Sequence, residues 1–410
     1  MSADTDVSFT PIADVSSRLR DGALSPVTLT ERCLTRIASL NPKLNAFITL
    51  TAELARDQAQ RAERELKGGN WRGHLHGVPV AVKDFYDTAG VRTTAAFEQF
   101  EHRVPDRDAD MVVKLRDAGA ILVGKTNMHK LGMGTTSLDS HFGPVMNPWN
   151  EKRVAGGSSG GSAVAVATGM CFATVDTDAV GSGRLPAAIC GVTCFKPTFG
   201  VLSASGILAG EREPDPAIPF LSHPCVTASS ADDVALAFEA VSKLPVATSQ
   251  PVGRIAVVTN FTGNDEVRSA FDEAVKALSR VDVALSETTV PFEAASFDVR
   301  SIEKDRAAIA RSLFADIDAI VLPTLTAPAP TVAEAREQRD LAVRPDNTFF
   351  CNYFGLPAIN VPCGADWEGV PMGMQFVGPP GSDSRILALA RAYQRAAHWH
   401  FEPPPLARLD

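Results

Sequence analysis

From about residue 76 onward the sequence alternates short apolar runs with amphipathic helical segments, and this alternation restricts the fold more than any other feature. Residues 78–82 and 121–123 read as buried strands, with a helix expected over 110–118 between them. Residues 172–175, 255–258, 319–322, 359–361 and 374–377 continue the strand series. Helical patterns at 232–241, 266–278 and 384–396 lie between and after them. Unbroken apolar strands alternating with helices predict an α/β sheet covered by helices on both faces. The first 70 residues read differently, as helices. Ser25-Pro26 is a helix start, Leu29, Cys33, Ile37 and Leu40 follow at helical spacing, and Asn41-Pro42 is the expected end. A second helix is expected over 52–66. Residues 1–70 are thus expected to form a helical layer, and 71–410 the α/β body, of one structural domain.

With 410 residues, the chain can bury about three quarters of its unfolded surface, so it needs no disulfide or metal staple. Its formal charge of −9 argues against a nucleic-acid binder, which usually carries a basic face. The longest weakly polar stretch, 162–175, is too short to cross a bilayer. The segment Met1-Ser2-Ala3-Asp4-Thr5-Asp6 is acidic and lacks the apolar region of a secretory signal, so a soluble cytoplasmic protein is expected. Seven scattered cysteines, with no C-x-x-C pair, read as buried reduced thiols.

The densest chemical signal is Val154-Ala-Gly-Gly-Ser-Ser-Gly-Gly-Ser-Ala163, leading into an Ala/Val helix expected from Ser162. Such a loop lets backbone N–H groups approach a ligand, and the helix N-terminus adds partial positive charge. Ser162-Ala163 replaces the Lys-Ser/Thr of a phosphate-binding loop, which argues against a nucleotide. The block also satisfies G-x-S-x-G, with Ser158 or Ser159 at its centre. A second loop, Asp176-Thr-Asp-Ala-Val-Gly-Ser-Gly-Arg184, follows a predicted strand and precedes a short helix over 185–189. Ser182 there reads either as an exposed nucleophile or as a helix cap before Pro186.

Taken together these blocks resemble the amidase signature family. The resemblance rests on the Gly156–Gly161 block, on Asp178-x-x-Gly-Ser-x-Arg-x-Pro-Ala, and on Phe195-Lys-Pro-Thr-x-Gly200. Gly77-Val-Pro-Val-Ala-Val-Lys83-Asp84 resembles the family's catalytic-lysine strand. Gly124-Lys-Thr-Asn-Met128, Phe142-Gly-Pro-Val-Met-Asn-Pro148, Gly355-Leu-Pro-Ala-Ile-Asn-Val-Pro362 and Pro371-Met-Gly-Met-Gln-Phe-Val-Gly378 extend it over roughly residues 8 to 397. It implies a single large mixed β-sheet with helices on both faces. It also implies a triad in which Ser182 is the nucleophile, Ser158 the bridging serine, often at a cis peptide bond, and Lys83 the base. The backbone N–H groups of Ala179, Val180, Gly181 and Ser182 would hold the oxyanion. Asp178 and Arg184 would shape the loop as a charge pair, and Gly157 and Ser159 would touch the substrate.

The chemistry needs these residue types. A serine hydroxyl attacks only when a neighbouring base takes its proton, and a lysine does that only when neutral. Lys83, at the end of an apolar strand, is therefore expected to be buried, with its pKa lowered. Two departures stand out. Asp176, Ala179, Val180 and Gly183 replace the Gly, Thr, Gly and Ile common in the family, and β-branched Val180 resists the positive φ that such loops often use. The loop Gly181-Ser182-Gly183-Arg184 resembles the allophanate hydrolase form, whereas Thr126-Asn-Met-His129 resembles amidases of aryl or indole acetamides. The region between Ile255 and Leu322 also looks short for the family, which leaves room for a more open pocket, a homodimer or a small partner subunit.

The expected function is hydrolysis of a small-molecule carboxamide through a seryl acyl-enzyme, with no metal, no cofactor, no nucleic acid and no membrane involved. The alternatives are an amidase-type component of a larger assembly, such as the A subunit of glutamyl-tRNA amidotransferase or another partner-dependent amidase, and a catalytically silent member. A Ser-His-Asp hydrolase using Ser159 is a further alternative, but the eight histidines are scattered and read as structural. The aromatic run Phe349, Phe350, Tyr353 and Phe354 reads as core, with an acyl-pocket wall as the other option.

Overall fold

The computed structural model describes residues 7–208, 218–246, 253–292, 298–399 and 401–408. Its strands are β1 (Phe47–Leu50), β2 (Pro79–Lys83), β3 (Ile121–Thr126), β4 (Ala173–Asp178), β5 (Thr193–Lys196) and β6 (His223–Ala228). They continue with β7 (Arg254–Val258), β8 (Ala284–Thr288), β9 (Ala319–Pro323), β10 (Ala358–Ala365) and β11 (Pro371–Val377). Among the described residues all eleven join one sheet in the order β1-β3-β2-β4-β6-β5-β10-β11-β9-β7-β8. Strand β2 is parallel to β3 and β4, and β7 to β8 and β9, while the other neighbours are antiparallel. The sheet is therefore mixed, as the resemblance implied.

Helices cover both faces because successive side chains on a strand point to opposite sides. Val80 and Val82 of β2 pack into the same apolar cluster as Val234 and Phe238 of the Ala231–Ser242 helix. Ala81, between them, joins Val164 and Val166 of the Gly160–Ala167 helix on the other side. That second helix is buried along its whole length, which its Ala/Val composition allows on every face. It also lies against backbone. A Cβ at Gly161 would fall 2.3 Å from the Asn127 carbonyl oxygen and 2.5 Å from that of Ala46, so only glycine permits the approach.

Three parts of the sequence reading need correction. The helix that begins at Pro26 runs past Asn41-Pro42 to Leu44. Pro42 sits in its last turn, and Asn45 ends it in a left-handed conformation at φ 52°. The first 70 residues are also not wholly helical, because β1 lies between two helices and pairs with β3 at the sheet's edge. Strands β1, β5, β6 and β8 are absent from the sequence pattern altogether. Polar residues interrupt β1, β5 and β6, and β8 is almost wholly exposed, so no buried apolar run marks them. Residues 209–217 lie outside the described residues, Ile218–Leu221 is a short helix and β6 begins at His223. The cysteines do read as predicted: all seven are free, six are buried and Cys363 is partly so.

Phe238 is fully buried and meets the Phe195 ring edge-on at 5.0 Å, joining helix to sheet. Phe238→Ala is expected to lower unfolding free energy by about 3–5 kcal/mol, measured by urea denaturation. A loss under about 1 kcal/mol would show that this contact does not hold the two layers together.

Candidate active site

Strand β2 ends on Lys83, which is completely buried. Its Nζ donates to Ser158 Oγ at 2.7 Å and to Thr177 Oγ1 at 2.9 Å. Ser158 follows a cis peptide bond from Gly157 and stands just before the buried helix. Thr177 is the penultimate residue of β4, whose last residue opens the loop carrying Ser182. Ser158, Thr177, Ala179 and Ser182 all line one cavity of about 360 Å³. The sequence-predicted lysine and both serines are therefore gathered at one site, with Thr177 as a partner that no motif pointed to.

Burial pulls the Lys83 ammonium down from its usual 10.5 to about 8, and the nearby carboxylates Asp176 and Asp178 limit the fall. Two other lysines are equally buried, so a lowered pKa does not single out Lys83. Lys125, also lowered to about 8, donates to Thr93 Oγ1 (2.9 Å), Thr88 Oγ1 (3.1 Å) and the Tyr86 carbonyl. Lys196, lowered to about 7, donates to the carbonyls of Leu356 and Pro197. Of the three, Lys83 is the one that bonds to a serine hydroxyl in the cavity wall.

The loop after β4 is held by a charge pair without solvent exposure. Arg184 Nε donates to Asp178 Oδ2 at 2.9 Å and Nη2 to Oδ1 at 3.0 Å, with both side chains wholly buried. Burial opposes the charge on Asp178, yet the Arg184 guanidinium holds that carboxyl well below the usual carboxylate range. Arg184 also reaches Gln375 Oε1 (2.8 Å), Asn352 Oδ1 (2.7 Å) and the Thr348 carbonyl (3.1 Å). Asn352 donates back to the Asp178 carbonyl at 2.7 Å. Gln375 lies inside one of the family motifs and Asn352 inside the aromatic run, but nothing local marks either as a loop anchor.

The backbone of this loop answers the objection raised by Val180. Its left-handed position falls on Gly181, at φ 129°, and Val180 keeps an ordinary negative φ. Glycine is required there twice over, since a Cβ would also meet Thr348 Oγ1 at 2.4 Å. Gly181 is corrected as an oxyanion donor, because its N–H is already given to Asp178 Oδ1 at 2.8 Å. The N–H groups of Ala179, Val180 and Ser182 have no partner among the described residues, and Ala179 and Ser182 border the cavity. Gly183, in place of the usual isoleucine, accommodates two thiols: a Cβ there would lie 2.6 Å from Cys225 Sγ and 2.8 Å from Cys194 Sγ.

Asp176, where the family writes glycine, lies beneath the loop. Its Oδ2 accepts from Thr174 Oγ1 (2.7 Å) and Thr227 Oγ1 (2.8 Å), and burial pushes its pKa up. Gly157 and Ser159 do not line the cavity, contrary to expectation. Gly157 packs against the backbone of Thr136 and Ser137, and Ser159 Oγ donates weakly to the Thr177 carbonyl at 3.4 Å. That hydroxyl faces backbone, with no histidine among its hydrogen-bond partners, which removes the motive for a Ser159-centred site. The aromatic run is also absent from the cavity wall, and Phe350, Tyr353 and Phe354 are in the core. No three His, Cys, Asp or Glu side chains among the described residues converge as a metal ion would require.

A protein-family model described as Amidase matches residues 28–304 and 296–387. The A subunit of glutamyl-tRNA(Gln) amidotransferase from a Roseiflexus species is 33% identical, covering 96% of this chain and 98% of that protein. The protein of the same name from Hahella chejuensis is 31% identical, covering 96% and 99%. Its 486 aligned positions exceed the 410 residues of this chain, so the relative carries segments that are missing here. Among solved structures, a crystal structure of an amidase superposes with a TM-score of 0.81 at 29% identity, covering 95% of this chain and all of that one. A chain of the inhibitor-bound vestigial complex linked to the origins of an s-triazine catabolic enzyme gives 0.86 at 25% identity, covering 96% and 100%.

Arg184→Met would leave Asp178 charged and buried without its partner. The expected loss is about 3–5 kcal/mol of unfolding free energy in a denaturant titration. An unchanged midpoint would mean that Asn352 and the backbone amides alone hold the loop.

Proposed function

Because the chain belongs to the amidase family, we propose that it hydrolyses a carboxamide through an acyl-enzyme on Ser182. The observation that carries this reading is the 2.7 Å hydrogen bond between Lys83 Nζ and Ser158 Oγ, beside a cavity that Ser158 shares with Ser182. With Lys83 neutral, its lone pair accepts the Ser158 proton while Ser158 Oγ accepts that of Ser182. Ser182 Oγ then forms the bond to the amide carbon. A hydroxyl can accept one hydrogen bond while donating another, which suits Ser158 to this relay. The N–H groups of Ala179 and Ser182, with Val180, face the developing oxyanion. Collapse breaks the C–N bond as the Lys83 proton returns through Ser158 to the leaving nitrogen, and water repeats the cycle to release the carboxylate.

Two finer readings share this chemistry. A stand-alone amidase acting on a small amide is supported by the cavity itself. Membership of a larger, tRNA-linked assembly is supported more directly by the curated relatives, whose names and nearly full mutual coverage favour it. Turnover by the purified chain alone would support the first reading. Turnover only with an added partner protein would support the second.

Ser182→Ala is expected to lower amide turnover by about 10⁴-fold or more, and Lys83→Ala by at least about 10²-fold, with circular dichroism unchanged. Ammonia release by Ser182→Ala protein at the wild-type rate would remove the nucleophile assignment. The base works as a neutral amine with a pKa of about 8. Accordingly kcat/KM should rise with pH, roughly tenfold per unit well below that value, and level off above it. A flat profile between pH 6 and 9 would exclude Lys83 as the base.

A further inference from the structure

Among the described residues, no charged side chain lines the cavity beside the two serines. Its only polar side chains among the described residues are the hydroxyls of Ser158, Thr177, Ser182 and Ser222. The rest of its described wall is glycine or apolar, including Phe85, Leu131, Met133, Ile207, Leu208 and Ile218. A zwitterionic amide such as free glutamine would meet no opposite charge among the described residues of this wall, and an unpaired charge is strongly disfavoured away from water. The size, about 360 Å³, lies at the lower end for small-molecule sites.

Two of the leucines are held in a backbone conformation that leucine avoids. Leu131 has φ 52° and Leu208 φ 48°, both in the left-handed region where a bulky side chain is a rare outlier. Each is pinned by its own N–H, Leu131 to the Ala95 carbonyl (2.9 Å) and Leu208 to that of Phe85 (3.0 Å). Glycine or asparagine would adopt this backbone with less strain, so what leucine adds is its side chain. Strained residues of this kind cluster at ligand clamps and active sites, where the surrounding structure holds them in place. Met133, 58% exposed, extends the apolar wall to the surface with a flexible side chain.

We propose that the cavity is an acyl pocket for uncharged amides whose apolar group is about the size of one aromatic ring, with Leu131 and Leu208 as specificity-determining residues. The inference rests on Ser182 being the nucleophile. The test compares ammonia release from phenylacetamide, acetamide and L-glutamine by the wild type, Leu131→Gly and Leu208→Gly. Wild-type kcat/KM should be highest for phenylacetamide, and each variant should lower that value by about tenfold or more while changing acetamide by less than about threefold. Leu131→Asn, which keeps the size and suits the left-handed backbone, should lose the same preference. Equal losses on both amides would assign the leucines a purely structural role and overturn the proposal, as would glutamine turnover matching that of phenylacetamide. If the wild type releases no ammonia, calorimetric titration of Ser182→Ala protein separates the two failures. Phenylacetamide binding that Leu131→Gly weakens would keep the pocket and remove the hydrolase reading. Absence of phenylacetamide binding would overturn the pocket as well.

Discussion

The loop that carries Ser182 depends on one buried ion pair. Asp178 ends β4 and Arg184 begins the next helix, so their contact closes the intervening residues into a fixed turn. Neither side chain reaches water, and a pair in that position is tolerated only when its remaining donors and acceptors are also satisfied. Gln375 from β11, Asn352 from the Phe349–Tyr353 helix and the Thr348 carbonyl provide this. Segments up to 191 residues away in sequence thus converge on one short loop. The same carboxylate takes the Gly181 N–H, which leaves the amides of Ala179, Val180 and Ser182 for any charge developing in the cavity.

A second constraint concerns Lys83. Burial in the sheet disfavours its ammonium, while Asp176 and Asp178 favour it, and the balance falls close to neutral pH. Such a balance suits a base that must be uncharged before the reaction and charged during it. Asp176 contributes although the family usually has glycine there. Burial disfavours the Asp176 carboxylate, while the hydroxyls of Thr174 and Thr227 donate to it. Val180 and Gly183 are similarly absorbed. The left-handed turn passes to Gly181, and the space left by the missing isoleucine is filled by the thiols of Cys194 and Cys225.

The two finer functional readings differ in what surrounds this chemistry. Relatives of nearly equal coverage are named as part of a tRNA-linked amidotransferase, yet they carry segments that this chain lacks. The wall of the cavity is built from hydroxyls and apolar groups, with no ionic partner among its described residues. An uncharged wall and a zwitterionic amide make a poor electrostatic match, and this is where substrate experiments can separate the readings.

The sequence by itself determined the α/β class, the positions of the apolar buried strands and the order of the motif blocks. Lys83, Ser158 and Ser182 were singled out by the resemblance of their motif blocks to the family, because the local pattern alone left Ser182 open between nucleophile and helix cap, and the centre of the glycine-rich block open between Ser158 and Ser159. Strands β1, β5, β6 and β8 were not legible, because polar residues break up their apolar runs or solvent exposes them, so their neighbours' hydrogen bonds define them more than their own side chains do. Only the tertiary structure decided which amides remain free in the nucleophile loop, which of three buried lysines meets a serine, and which apolar residues form the cavity wall. Each of those depends on contacts between segments far apart in the chain. Phe350, Tyr353 and Phe354 went to the core and the left-handed leucines at 131 and 208 to the cavity, because side-chain destination is set by packing against distant elements.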